Sequence, residues 1–470
     1  MSGPVSAIPD SADPAGAASE PPAPPGPPAA PGLGDLKKKA LRGSILEMAG
    51  YGASQLLRLA SNLVLSRLLF PEAFGLVALV GTFNVGLVLL SDVGIQPAVV
   101  QNERGDDLTF LNTAWTIQVI RGFILYSIAV LCAWPLSKFY GEPQLFGLNV
   151  VGSLAVLVNS WHSTSLYTLR RRLSVGRLNL IELGAQLCSL VVTVTWSLLH
   201  ASVWPLVAGS IAGPLFRVVA SHRLDVGYKN RFAWDPASRT AIANFGKWIM
   251  AASAVFFVSW QSDRLLLGKF LGVKELGIYS IALMLSEAMS SLITRVTYGV
   301  LHPVFSRVQR EARERLSSVY YRVRLMLDAV SLPAIGVMIM LGPFVVRLLY
   351  DARYREAGWM LQVFCVRVAM NCIQTPCETC LFSIGQTRYG LYQNIARAIW
   401  ILVGMPAGWL IGGLHGLVWA VALSEIPIFF VSWPALHRAG VLRLRREAFA
   451  FVFLVAGIGV GWIIRRLFHI

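Results

Sequence analysis

Residues Gly75-Leu-Val-Ala-Leu-Val-Gly-Thr-Phe-Asn-Val-Gly-Leu-Val-Leu-Leu90 contain no charged side chain. Continued to Pro97 as a helix, this stretch covers the roughly 30 Å of a bilayer's hydrocarbon at about 1.5 Å per residue. A membrane β-strand is about ten residues long and alternates apolar with polar side chains, and this stretch does neither. Similar stretches recur to the end of the chain. Thirteen spans are expected, at about 43–66, 75–97, 113–134, 145–167, 178–199, 203–221, 246–268, 276–302, 325–346, 357–384, 389–411, 414–436 and 448–467.

Composition agrees. The 470 residues are 55% hydrophobic and only 14% charged, with a mean hydropathy of +0.59, so too little polar material remains to cover a soluble globule. That excludes a soluble enzyme, a coiled coil and a secreted disulfide scaffold; the six cysteines have no framework spacing. The first 35 or so residues hold ten of the 24 prolines, mixed with Ala, Gly and Ser. They read as a disordered tail without the layout of a signal peptide.

The net charge of +16 is explained by orientation. With the N-terminus in the cytoplasm, the tail and alternate loops carry 26 Lys and Arg, against nine on the opposite face. This is the positive-inside bias, and nucleic acid is not needed to explain the charge.

Two halves are visible. Ser66-Arg-Leu-Leu69 leads by a short turn to Phe74-Gly-Leu76, and Gly268-Lys-Phe-Leu271 leads by the same spacing to Leu276-Gly-Ile278, an offset of 202 residues. An offset of six spans preserves direction, so the repeats would be parallel about an axis normal to the membrane. The expected organisation is a tail at 1–40, a six-helix lobe at 41–221, a basic cytoplasmic linker at 222–243, a second six-helix lobe at 244–436, and a basic loop with an extra helix at 437–470. The fold class is an all-α polytopic membrane protein of about thirteen (12–14) helices.

No phosphate loop, dinucleotide fingerprint or zinc-protease motif is present. Cys377-x-x-Cys380 stands alone in an apolar span and reads as packing by small residues, as do Gly404, Gly408, Gly412 and Gly416 at intervals of four. The informative residues are charges at membrane depth: Arg58, Arg121, Arg264, Arg295, Arg367 and Arg397, with Asp92, Glu182, Asp263, Glu287, Asp328, Glu378 and Glu425. Each costs about 2.5–3.5 kcal/mol or more at the bilayer centre, so none can face lipid. They either pair between helices or line a wet cavity. The six arginines suit an anion such as phosphate or pyrophosphate, because a guanidinium is a planar fork of donors that stays protonated. Asp92, Asp263, Glu287, Glu378 and Glu425 are candidates for ion pairs or for proton or sodium coupling; no metal site and no resident cofactor are expected.

Arg67-Leu-Leu-Phe-Pro-Glu-Ala-Phe-Gly75 with Asp92-Val-Gly-Ile-Gln-Pro-Ala-Val-Val-Gln101, and Ser262-Asp-Arg-Leu-Leu-Leu-Gly-Lys-Phe-Leu-Gly272 with Leu276-Gly-Ile-Tyr-Ser280, resemble bacterial oligosaccharide flippases for O-antigen and exopolysaccharide export. That family lies within the superfamily of multidrug, oligosaccharidyl-lipid and polysaccharide exporters. The resemblance covers about residues 40–436 and implies a two-lobed, V-shaped bundle in the bacterial inner membrane. It also implies a flippase, not an enzyme, for undecaprenyl-pyrophosphate-linked oligosaccharide repeat units in polysaccharide or lipopolysaccharide biosynthesis. The partners expected are this lipid-linked oligosaccharide, the bilayer, and the polymerase and chain-length regulator of the same route. Two alternatives remain: a drug/cation antiporter of the same superfamily, whose cavity should be acidic, and a membrane-embedded polymerase or glycosyltransferase, which should carry a sizeable extramembrane loop.

Overall fold

Long apolar runs broken by short polar turns become long helices joined by tight connections. The computed structural model describes residues 33–172, 174–224 and 227–468, with side chains from Met48 onward; residues 1–32 of the expected tail lie outside them. The first half contains α1 (Leu33–Leu68), α2 (Pro71–Leu90), α3 (Ile95–Gln101), α4 (Leu108–Tyr140), α5 (Gln144–Gly152), α6 (Leu154–Ser160), α7 (Ser165–Arg171), α8 (Val175–Leu199) and α9 (Trp204–Arg223). The second contains α10 (Pro236–Leu271), α11 (Val273–Glu311), α12 (Leu316–Leu349), α13 (Ala357–Ser383), α14 (Arg388–Ala422), α15 (Ile426–Arg438) and α16 (Leu444–Leu467). No strand occurs among the described residues. Helix α1 starts at Leu33, inside the stretch expected to be tail. The contacts divide the chain at Gly43, and Gly43–Ile470 forms one unit.

By length and composition, nine helical stretches among the described residues can cross a membrane, or ten if the bent pair α5–α6 and α7 is one span. The count of thirteen is not confirmed on this measure. Helices α1 and α13 are not among the nine because Gln55, Arg58 and Asn62 on one, and Arg367, Asn371 and Glu378 on the other, dilute their apolar character. Helices α14 and α15 count as a single stretch.

The two halves meet at the positions the repeat singled out. A Cβ on Gly75 would overlap the Val273 carbonyl, and a Cβ on Gly277 would overlap the Pro71 carbonyl. Pro71 and Val273 are themselves 202 residues apart, so the contact is reciprocal, as at a two-fold interface. Only glycine at both positions lets α2 and α11 approach backbone to backbone. Helix α10 follows α2 further along, with Phe257 against Gly86 and the Val93 backbone against Gly246. The core around this seam includes Leu69, Leu79, Leu267, Leu276 and Tyr279, all fully buried.

Part of the expected linker is hydrogen-bonded to the first half. Asp235 caps α10 by accepting from Ser238 N (2.9 Å), which starts the helix ten residues before the expected span. Upstream, backbone N–H groups of Arg231, Ala233 and Asp235 donate to the side chains of Asn112, Thr113 and Thr116 on α4 at 3.0–3.1 Å. An extended segment has no ladder of its own, so these side chains satisfy its donors.

The C-terminal helix is also tied in. Gly336 of α12 and Gly457 of α16 sit against each other's backbones. Arg324, expected in a cytoplasmic loop, is instead buried, paired with Asp328 (3.0 Å) on its own helix and with Glu447 (2.5 Å) on α16. In α14 the helix breaks at Gly412 and Gly413, the latter at φ +56°, and the chain turns back so that Gly408 lies against Gly416. The four-residue glycine spacing thus serves a hairpin. Cys377 and Cys380 are buried packing residues, and no metal-binding cluster occurs among the described residues.

Overpacking this seam should destabilise the fold. Gly75→Leu and Gly277→Leu are expected to cost at least about 1–3 kcal/mol each, seen as a lower melting temperature in detergent, while Gly299→Ala, whose Cβ would meet nothing within 4 Å, should not lower it. In the loop after α12, Arg353 pairs with Asp351 and donates to Ser66 O (3.1 Å) on α1. The Arg353 guanidinium holds the Asp351 carboxyl below the usual carboxylate range. This stabilisation is present above the ordinary aspartate pKa of about 3.9 and is lost as pH falls through the lowered value. Thermal scans of wild type and Asp351→Asn should converge as the pH is lowered, with a small gap at neutral pH because both side chains are over a third exposed.

Candidate functional site

In the second half, charge at membrane depth is mostly neutralised in place. Arg397 on α14 donates from Nη2 to both oxygens of Glu425 (2.6 Å each), and Arg367 on α13 approaches the same carboxylate at 3.7 Å. Both guanidiniums lie over Trp260 of α10, at 4.0 and 5.1 Å from the ring centre. Glu425 is fully buried, and a buried carboxylate shared by two arginines is compensated but rigid. One turn along α10, Arg264 donates to Glu287 (3.0 Å) and to Gln261 (3.1 Å). Asp263 points elsewhere and accepts from Tyr279, and Glu378 lies close to Tyr298. Arg295 on α11 stacks on Tyr51 of α1 (3.7 Å), and Gln55 donates to Ser291 (3.0 Å) alongside it, so this arginine lies where the halves meet.

The first half differs. Helices α1, α8 and α9 enclose a pocket of about 300 Å³ bordered by Arg58, Arg217, Gln186, Ser61, Ser189 and Thr193. No carboxylate lines it among the described residues. Arg58 is exposed and has no hydrogen-bond or ion-pair partner among the described residues. The Nε of Arg217 is buried and unpartnered, although its Nη atoms engage Asn159 (3.0 Å) and Glu182 (2.5 Å). The hydroxyls of Ser61, Ser189 and Thr193 donate to backbone carbonyls and Gln186 donates to Ser54, so what the pocket offers an anion is the Arg58 guanidinium and the unpartnered Nε of Arg217.

Beside it lies a larger cavity of about 720 Å³ between α2, α4, α5–α6, α8 and α9, which shares Ser210, Pro214 and Arg217 with the pocket. Arg121 enters it, donating from Nε to Ser91 Oγ (3.1 Å) and from Nη2 to Val88 O (2.5 Å). These partners are neutral, and Asp92 is its nearby charge. Arg170, on α7 at the end that the charge bias assigns to the cytoplasm, completes the cationic lining.

The expected site residues therefore divide. Arg264, Arg367 and Arg397 are paired with Glu287 and Glu425, Arg295 bridges the halves, and Arg58 and Arg121 border hollows in the first half. Arg170 and Arg217 were overlooked as loop charges. For Arg217 the signal was present, since it falls within the expected span 203–221. Arg324 was missed for the same reason, lying one residue before the expected span 325–346.

A helical bundle that gathers its charged side chains inward at membrane depth is a multi-pass membrane transporter fold. The chain resembles an inward-facing multidrug-resistance MATE transporter (TM-score 0.64, 14% identity, 84% of this chain and 98% of that one). It equally resembles the lipid II flippase MurJ in an inward closed conformation (TM-score 0.64, 13% identity, 90% and 99%). The chain belongs to the polysaccharide biosynthesis protein family, whose model matches residues 64–358. Its relatives include the succinoglycan biosynthesis transport protein ExoT of Rhizobium meliloti (strain 1021), 21% identical over 374 residues, 79% of this chain and 74% of the relative. The lipopolysaccharide biosynthesis protein WzxC of Escherichia coli (strain K12) is 23% identical over 377 residues, 79% and 75%. The amylovoran biosynthesis protein AmsL of Erwinia amylovora is 22% identical over 330 residues, 69% and 84%.

Paired and unpaired arginines should respond differently to mutation. Arg397→Ala, which leaves Glu425 buried beside Arg367 alone, is expected to cost about 3–5 kcal/mol, and replacing the whole triad, Arg397→Met and Arg367→Met with Glu425→Leu, should recover much of it. Arg58→Ala should change stability by no more than about 0.5 kcal/mol. Melting temperatures in detergent provide the comparison.

Proposed function

We propose that this chain is a flippase that moves an undecaprenyl-pyrophosphate-linked oligosaccharide from the cytoplasmic to the periplasmic leaflet of the inner membrane. The observation that carries this reading is the pocket bordered by Arg58, which has no partner among the described residues, and by Arg217, whose Nε is unpartnered while its Nη2 is paired with Glu182 just outside the lining. A pyrophosphate entering hydrocarbon bare would meet a Born-type cost of tens of kcal/mol. Guanidiniums bordering a hollow replace water as its partners. The names of the relatives, which place them in the biosynthesis of succinoglycan, lipopolysaccharide and amylovoran, support the substrate class.

The headgroup enters from the cytoplasmic side, where Arg170 borders the neighbouring cavity, while the polyprenyl tail stays in lipid. Movement of one half on the other about the Gly75–Gly277 contact then exposes the headgroup to the opposite face, the alternating access of parallel-repeat transporters. Two negative charges leaving a negative interior at 100 mV gain roughly 4–5 kcal/mol, which favours export. Residues of this chain bind and screen the diphosphate, and no bond is made or broken.

The test is transport in proteoliposomes, read as accessibility of the labelled headgroup at each face. Arg58→Ala with Arg217→Ala is expected to slow flipping by about tenfold or more, and Arg58→Lys with Arg217→Lys should retain an intermediate rate because charge persists without the planar fork. Wild-type flipping by the double alanine variant, inserted at the same level, would overturn the assignment.

A further inference from the structure

We infer that the larger cavity of the first half is a saccharide chamber, adjoining the anion pocket but chemically different from it. It takes the neutral, hydroxyl-rich sugars next to the diphosphate. This assignment rests on the flippase reading and extends it to the part of the substrate that differs between polysaccharides.

The two hollows differ in what they ask of a ligand. In the larger one guanidiniums and carboxylates stand side by side: Arg121 lies near Asp92, Arg217 is paired with Glu182, and Arg170 adds a third cation. A phosphate oxygen only accepts hydrogen bonds, so it can use the arginines but not the two carboxylates. A sugar hydroxyl donates and accepts, so it uses both members of each pair. Asn84 accepts from Ser153 (2.7 Å) and Asp92 accepts from Gly94 N (2.9 Å). Among the described residues the Asn84 amide nitrogen and the second Asp92 oxygen make no hydrogen bond, so each is oriented by one contact and free for another.

The wall behind them is fixed. Gln118 donates to Ser160 O (2.8 Å) and His162 O (3.0 Å) and accepts from Tyr167 (2.8 Å), so its amide is held by three contacts and both its hydrogens are used. A wall held this way lowers the ordering cost of binding. Between the polar groups the lining is apolar, from Val77, Val80, Leu125, Val156 and Val207, and suits the less polar faces of sugar rings. The volume of about 720 Å³ lies in the range of small-ligand sites. Because Ser210 and Arg217 border both hollows, one ligand can place its diphosphate in the smaller and its first sugars in the larger.

Gly81 gives a direct test. It lines the larger cavity and not the smaller, and a Cβ there would meet nothing within 4 Å. Gly81→Phe therefore puts a ring into the chamber without a backbone clash. Gly459→Phe on α16, also with open space at its Cβ, controls for folding. The probes are undecaprenyl pyrophosphate and the same lipid carrying a neutral galactosyl-glucose disaccharide, titrated against the full chain in nanodiscs.

Wild type and Gly459→Phe are expected to bind the disaccharide-bearing lipid about tenfold or more tightly than the bare one. Gly81→Phe should abolish that preference and leave affinity for the bare diphosphate within about twofold. Equal wild-type affinity for the two probes, or a preference that survives Gly81→Phe, overturns the chamber. Failure of the flippase reading looks different: Arg58→Ala would weaken binding of neither probe, while the Gly81→Phe comparison would still decide whether sugars occupy the cavity.

Discussion

A guanidinium cannot be left bare in hydrocarbon, and this constraint organises the interior of the protein. Each arginine at membrane depth must meet a carboxylate, a set of neutral acceptors or water. In the second half the solution is pairing, with Glu425 between Arg367 and Arg397 and Glu287 beside Arg264. In the first half the hollows around Arg58, Arg121 and Arg217 keep cationic groups within reach of water. The same residue type thus forms a rigid scaffold on one side and a receptive surface on the other.

That asymmetry is superimposed on a symmetric frame. The reciprocal approach of Gly75 and Gly277 holds two copies of the same helical turn against each other, and α2 with α10 and α11 forms the surface along which the halves pack. The small residues let the backbones meet at this one point, and Leu69, Leu79, Leu267, Leu276 and Tyr279 pack around it. The buried triad of Arg324, Asp328 and Glu447 fixes α16 to α12 and makes the additional helix part of the second half rather than an appendage.

The all-helical membrane class was legible because sixteen uncharged residues such as 75–90 have few other stable uses, and the repeat was legible because glycine at 75 and 277 answers a backbone contact that no other residue permits. The site was only partly legible. Sequence locates Arg397 and Glu425 at membrane depth but cannot tell that they meet, since their pairing depends on how the chain turns at Gly412 and Gly413. Arg217 and Arg324 sit within a few residues of span ends, where a small boundary error moves a charge from a cavity wall to a loop. The anchoring of the linker was not legible because its partners, Asn112, Thr113 and Thr116, lie over a hundred residues earlier.

The most direct measurement is a cryo-electron microscopy structure of the full chain in a lipid nanodisc with undecaprenyl pyrophosphate. The account predicts density for the diphosphate within hydrogen-bonding distance of both Arg58 and Arg217, with the Arg397–Glu425 pair undisturbed. Diphosphate density resting instead on Arg264, Arg367 or Arg397, with the first-half pocket holding only water, would contradict it.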